Sequence, residues 1–349
     1  MKITDVKAVF PNYKHVVPSW RTHFWQVVVR VESDSGVAGF GYGGGGIASV
    51  EIVNRHFREL LIGREINGVE DISSIWDRLY EASLPYGRKG LAIMALSGID
   101  LALYDLLGKA ESKPVYEILG GAKKSSVFAY ATGADSALYH RLGYKAHKFP
   151  HRWTGVEADY DSAVKAAARA REMFGPDALL MIDCHMSWDK AVTLEMARRL
   201  SEFNFYWFED VLTPDDLEGQ AELRPLIEPT ILAGGEHEFT HHGFGDIAES
   251  PALGLWQPDI TWCGGLTAGL RIVESANRLG IPVSPHRGGE VWGLHLMVAT
   301  DCVDLAEFHS DHIREERDVL WLGEPAPKDS YIAPTDSPGF GVTLNEAMV

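Results

Sequence analysis

The chain has 349 residues, 46% of them hydrophobic, and carries 49 acids against 32 bases for a formal net charge of -17. That length and apolar content are enough for one large or two ordinary domains. So acidic a surface excludes nucleic acid and an anionic membrane as main partners, and an acidic substrate would need local positive charge to approach it. Three widely spaced cysteines, Cys184, Cys263 and Cys302, exclude a disulfide framework or zinc knuckle and predict reduced thiols in a cytoplasmic protein. The start, MKITDVKAVF, has no apolar signal core. No unbroken apolar run reaches the ~18 residues of a membrane span.

The N-terminal part reads as strands and then helices. FWQVVVRVES and GVAGFGYG flank Asp34-Ser35-Gly36, which predicts a hairpin. Residues 39–44, GFGYGG, match G-x-G-x-x-G formally. They lie inside the hairpin and open no βαβ unit, so they are not read as a nucleotide loop. Helical spacing follows in SVEIVNRHFRELLIG, DISSIWDRLYEAS and GLAIMALSGIDLALYDLLGKA. The third is apolar nearly all round and should be buried. Lys113-Pro114 and Gly120-Gly121 mark an expected domain boundary.

Past residue 125 short β-rich runs alternate with amphipathic helices, from ALLMID and FYWFED through TILAGGE, LGLWQPD and IPVSPH to CVDLAEF. Such alternation means a parallel sheet, and six or more units predict a closed βα barrel. These runs end in Asp183, Glu209, Glu236, Asp259, His286 and Glu307, at gaps of 26, 27, 23, 27 and 21 residues. Each gap is about one βα unit, so the polar ends gather at one mouth, where barrel enzymes keep their chemistry. Three carboxylates on adjacent strands repel unless a cation holds them, and hard oxygen donors with room for water suit Mg²⁺ better than zinc. A carboxylate at Asp259 beside His286 would fix the imidazole tautomer and make it a general base.

The series MIDCHMSW, WFED, GGEHEF, QPDITWCGG, SPH and AEF, with DLALYDLLGKAESKPVYEILGG before it and PGFGVTLN after it, resembles the enolase superfamily. Within it the chain is most similar to the acid-sugar dehydratases of the mandelate-racemase subgroup. The resemblance implies a modified (β/α) barrel over residues 121–324. It implies an α+β capping domain over 1–120, joined by the tail 325–349. It implies Mg²⁺ on Asp183, Glu209 and Glu236, an Asp259–His286 dyad that removes a proton α to a carboxylate, and Glu307 on the substrate carboxylate or enediolate. The implied activity is dehydration of an aldonic acid, such as L-rhamnonate or a stereochemical relative, to a 2-keto-3-deoxy acid by a likewise homo-oligomeric enzyme. A racemase on the same template and a non-catalytic metal-binding relative are the alternatives.

One departure bears on mechanism. Many relatives carry K-x-K at the end of the second barrel strand, whereas this chain has Lys148 followed at the second position by Pro150. Proline moves no proton, which disfavours a two-base racemase. Lys148 is left to bind the substrate carboxylate or to assist as a cation. Further substrate-binding candidates are His15, Arg21 and His23 in the early loop and His185 after the first acid. Trp188, Trp207 and Trp262 are expected to pack.

Overall fold

A computed structural model describes residues 1–16, 21–309, 312–313 and 316–349, except the side chain of Arg21. Strands β1 (Ile3–Val9), β2 (Val27–Ser33) and β3 (Ala38–Gly43) form an antiparallel sheet in sequential order, with the hairpin turn at Asp34–Gly36. Helices α1 (Val69–Ser83) and α2 (Leu91–Glu111) pack beside it. Helix α2 is long and apolar enough to cross a bilayer, but 89% of its apolar window is buried inside the protein. It is a core helix, as its uniform hydrophobicity predicts.

The glycines of GFGYGG explain how α2 comes so close. Gly39, Gly41 and Gly43 alternate along β3, so they share one face. A Cβ there would lie 2.1 Å from Ala102 O, 2.0 Å from Gly98 O and 2.5 Å from Met94 O. The motif is a packing groove for a helix, and any side chain in it would overpack the sheet.

The second layer is a curled parallel sheet in the order β10-β4-β5-β6-β7-β8-β9. Its strands are β4 (Val127–Thr132), β5 (Ala146–Pro150), β6 (Leu179–Asp183), β7 (Trp207–Glu209), β8 (Ile231–Gly234), β9 (Leu255–Trp256) and β10 (Ala306–His309). Helices such as Ala158–Phe174 and Gly265–Leu279 fill the crossovers. Several begin on an acid: Asp189 accepts from Val192 N and Asp216 from Gly219 N, caps of about 1 kcal/mol each. IPVSPH is not a full strand, since Pro282 and Pro285 donate no hydrogen bonds. It still fills the gap between β9 and β10, through Trp256 N to Pro282 O, Ser284 N to Trp256 O and Val303 N to Val283 O.

The chain's end touches both layers. Tyr331–Ile332 pairs antiparallel with β4, while Phe340 N donates to Asp105 Oδ1 of α2 at 2.9 Å and Asn12 N to Met348 O at 2.7 Å.

Candidate active site at the barrel mouth

Parallel register fixes the relation of the strand ends. Asp183 lies opposite Glu209 and Glu209 opposite Ala233, so Asp183, Glu209 and Glu236 rise from three adjacent positions. Above them opens a cavity of about 460 Å³ lined by Asp183, Glu236, His286 and Glu307, with His15 and His185 on its walls. Residues just past the ends have positive φ: His185 and Met186 after Asp183, Asp210 after Glu209, Arg287 after His286. Each costs on the order of 1 kcal/mol or more for an L side chain, and such strain collects where a backbone is bent to display its neighbours.

His286 Nδ1 is 2.8 Å from Asp259 Oδ2. A carboxylate accepts, so Nδ1 carries the hydrogen. Nε2 then faces Glu236 Oε2 at 3.3 Å and Glu307 Oε2 at 3.8 Å. Burial disfavours the imidazolium, yet Glu236, Glu307 and Asp259 outweigh it and raise the His286 pKa to about 10. The dyad is braced from behind. Asp259 Oδ1 accepts from both the N–H and the hydroxyl of Thr261 at 2.7 Å. Thr261 Oγ1 accepts from Gln26 Nε2 at 2.8 Å, and Gln26 Oε1 accepts from Trp262 Nε1 at 2.9 Å. Gln26 precedes β2, so a residue of the N-terminal sheet region steadies a barrel carboxylate. Their separation of 235 residues left no signal in the sequence.

Glu209 sits behind the rim, 1% exposed. Lys148 Nζ pairs with its Oε1, while Oε2 accepts from Trp207 Nε1 at 2.9 Å and Gln257 Nε2 at 2.7 Å. Lys148 also reaches Glu307 Oε1 at 2.8 Å. Glu307 accepts in addition from Thr132 Oγ1 at 2.6 Å and from the Arg287 N–H at 2.8 Å. Burial opposes the ammonium, but Glu209 and Glu307 hold Lys148 charged, well above the usual lysine range. Burial pushes the Glu209 carboxyl up from the usual range; Lys148 opposes this, and Asp183, Glu307 and Glu236 add to it. Asp210 is also raised well above the carboxylate range, by burial first and then by Glu236 and Glu209. Ligand atoms of Asp210, Glu236 and His237 lie within 4.8 Å of one another. That cluster shares Glu236 alone with the expected set Asp183, Glu209 and Glu236, and Glu236 is lowered, against its burial, by His286 and His237. The crowding that raises Glu209 and Asp210 is what a divalent cation would relieve, and the carboxylate oxygens fit Mg²⁺.

The remaining candidates separate. His15 lines the cavity, its backbone N–H held by Asp318 Oδ2 at 2.8 Å. His185 lines it too, with Nε2 3.3 Å from Asp183 Oδ2. His23 is exposed and is not among the lining residues, and the side chain of Arg21 lies outside the described residues. Trp188 and Trp207 pack as expected. Trp262 packs as well, with Ile93 and Phe239, while its ring also faces the cavity, 5.6 Å from that of His286. Sequence reasoning missed a charge chain on the same wall. Arg287 Nη2 meets Glu290 Oε2 at 2.5 Å, Glu290 Oε1 meets His312 Nε2 at 3.0 Å, and His312 Nδ1 lies 3.7 Å from Glu324 Oε2. Only the adjacency of Arg287 to His286 hinted at it.

Residues 131–348 match the family described as "Enolase C-terminal domain-like", and residues 8–120 match "Mandelate racemase / muconate lactonizing enzyme, N-terminal domain". The chain belongs to the enolase superfamily, in its mandelate-racemase branch. It is 36% identical to an L-rhamnonate dehydratase of Saccharopolyspora erythraea over 328 residues, 91% of this chain and 83% of that one. The crystal structure of L-rhamnonate dehydratase from Gibberella zeae is similar with a TM-score of 0.90 at 30% identity, covering 99% of this chain and 94% of that one. A structure of rhamnonate dehydratase from the same organism complexed with Mg gives 0.89 at 29% identity, with the same 99% and 94% coverage.

Proposed function

We propose that this chain is a Mg²⁺-dependent hydro-lyase that dehydrates an acid sugar, an aldonate such as L-rhamnonate or a stereochemical relative, to a 2-keto-3-deoxy acid. The observation that carries the reading is the His286–Asp259 pair, whose Nε2 faces a cavity that it shares with Glu236 and Glu307.

Asp183, Glu209 and Glu236 would hold the cation. When bound, it would supply electrophilic stabilisation to charge developing on the substrate carboxylate, and its charge would offset that of Glu236, which favours the His286 imidazolium. Asp259, fixed by Thr261, orients His286 so that Nε2 takes the α-proton. The enediolate then expels the β-hydroxyl, which leaves as water with the proton from His286. The resulting enol tautomerises to the 2-keto acid. Glu307, fixed by Thr132, Lys148 and the Arg287 N–H, would accept a hydrogen bond from the enediolate once that carries a proton on oxygen. His15 and His185 supply donors for the polyol, with His23 and Arg21 as further candidates in the early loop. Lys148, 1% exposed and doubly ion-paired, acts on this reading as a fixed cation.

A racemase on the same template fits less well. It needs a second base on the opposite face of the α-carbon, and Lys148 is committed to two carboxylates while Pro150 takes the next position on the same face of β5. We divide the chain into a capping part of residues 1–120 with the tail 325–349 and a catalytic barrel of 121–324. The acidic surface supports a small-molecule partner without nucleic acid or membrane, and three buried free cysteines support a cytoplasmic setting. A homo-oligomer is the assembly we propose.

The test is a panel of aldonic and aldaric acids incubated with the protein and Mg²⁺, with 2-keto acids trapped by semicarbazide. A 2-keto-3-deoxy product from an aldonate is the expected result. α-Proton exchange in D₂O without loss of water would move the assignment to the racemase, and neither product nor exchange would defeat the reading.

A further inference from the structure

We propose that Gln257 is a positioning residue for Glu209. The inference rests on the reading of Glu209 as a cation ligand. Gln257 directly follows β9, is 1% exposed, and is docked to β8 by its backbone N–H, which donates to Gly234 O at 2.8 Å. From there its Nε2 reaches Glu209 Oε2 at 2.7 Å. Trp207 Nε1 donates to the same oxygen at 2.9 Å. Two fixed donors on one oxygen lock the carboxyl plane, because rotation breaks both bonds together. Both donors are neutral, so they aim the carboxylate without competing for its charge, whereas Lys148 on the other oxygen supplies charge.

A second observation separates this role from mere packing. The other end of the Gln257 amide, Oε1, is buried and has no hydrogen-bond partner among the described residues. A buried unpaired acceptor costs stability. An apolar side chain of similar shape would avoid that cost. Among the described residues the Gln257 side chain's hydrogen bond is the one to Glu209. Groups that orient a metal ligand change metal affinity by roughly 10–100-fold when removed.

The experiment is calorimetric titration with Mg²⁺ alone of the full chain, of Gln257→Leu, of Glu209→Gln and of the double variant, with melting temperatures recorded without the ion. Gln257→Met serves if the leucine variant does not fold. The expected result is a loss of roughly 10-fold or more in Mg²⁺ affinity for Gln257→Leu with a melting temperature unchanged or raised. The double variant should bind no more weakly than Glu209→Gln, since the amide acts through that carboxylate. Normal affinity in Gln257→Leu beside weakened affinity in Glu209→Gln overturns the inference alone, and so do additive losses. Normal affinity in Glu209→Gln removes the ligand assignment, and this inference with it.

Discussion

The two sides of the barrel mouth handle charge differently. Where β6, β7 and β8 end, Asp183, Glu209, Asp210 and Glu236 crowd together, and Lys148 is their buried counter-charge. Across the cavity the signs alternate, with His286 on Asp259, then Arg287, Glu290, His312 and Glu324 in sequence. The second side balances itself: Glu290 and Glu324 hold His312 up at about 10 against its burial. On the first side Glu236 is offset by His286 and His237, but Glu209 and Asp210 stay raised, an excess of negative charge that a divalent cation would offset.

The difference can be broken from either side. The largest effect should come from the balanced side. On the proposed mechanism His286→Asn removes the base and no ligand, so turnover should fall by roughly 10³-fold or more while Mg²⁺ affinity and melting stay near those of the parent; kinetics beside calorimetry check this. Substantial residual dehydration would place the base elsewhere. On the acid side, Lys148→Met strands Glu209 and Glu307 without their cation. Losing one partner of a buried pair costs about 3–5 kcal/mol, read by urea unfolding, and added Mg²⁺ should restore part of it. A loss under 1 kcal/mol would mean that the two carboxylates are not held charged by Lys148.

A buried histidine away from both sides gives a reference for pH. His147 stays neutral, Nδ1 donating to Ala131 O and Nε2 accepting from Ser136 Oγ, and burial lowers its pKa to about 4. Its folded-state value lies below the unfolded one. Its contribution is therefore whole above pH ~6.5 and is lost as pH falls toward 4, about 3 kcal/mol in all. His147→Gln should flatten that part of the stability profile, and an unchanged slope would assign it to other groups. Next, Glu236→Gln should weaken Mg²⁺ binding by roughly 10–100-fold, seen by titration, and unchanged affinity would remove it from the ligand set. The smallest effect should be Thr261→Val. It removes one of two donors to Asp259 Oδ1 and the link to Gln26, about 1 kcal/mol of orientation, read as a several-fold drop in kcat with KM unchanged. A change in KM alone would point to cap packing instead.

The parts of the site that repeat with the βα period were legible from residue order. Asp183, Glu209, Glu236, Asp259, His286 and Glu307 each end one strand unit, and the barrel turns that spacing into a ring. The hairpin and the buried helix α2 were legible for the same reason, since their patterns are local. Gln26, Gln257 and the Arg287 to Glu324 chain were not. They are single polar residues whose partners lie on other elements, and nothing in their own neighbourhood distinguishes them. The G-x-G-x-x-G match shows the converse. Its glycines are there because α2 passes within 3 Å of where their Cβ atoms would be, a reason that exists only after folding.

The sequence by itself determined the strand–helix alternation and the placing of one ionisable residue per unit, and thereby which acids and which histidine come together at the strand ends. These follow from backbone periodicity, which is written along the chain. Only the tertiary structure decided how charge is shared among them: which acid faces the cavity, which is clamped from behind by Lys148, Trp207 and Gln257, and which histidine is held as a cation. Such sharing depends on burial and on distances of a few ångströms between remote residues, and Coulomb and desolvation energies have no value until those distances exist.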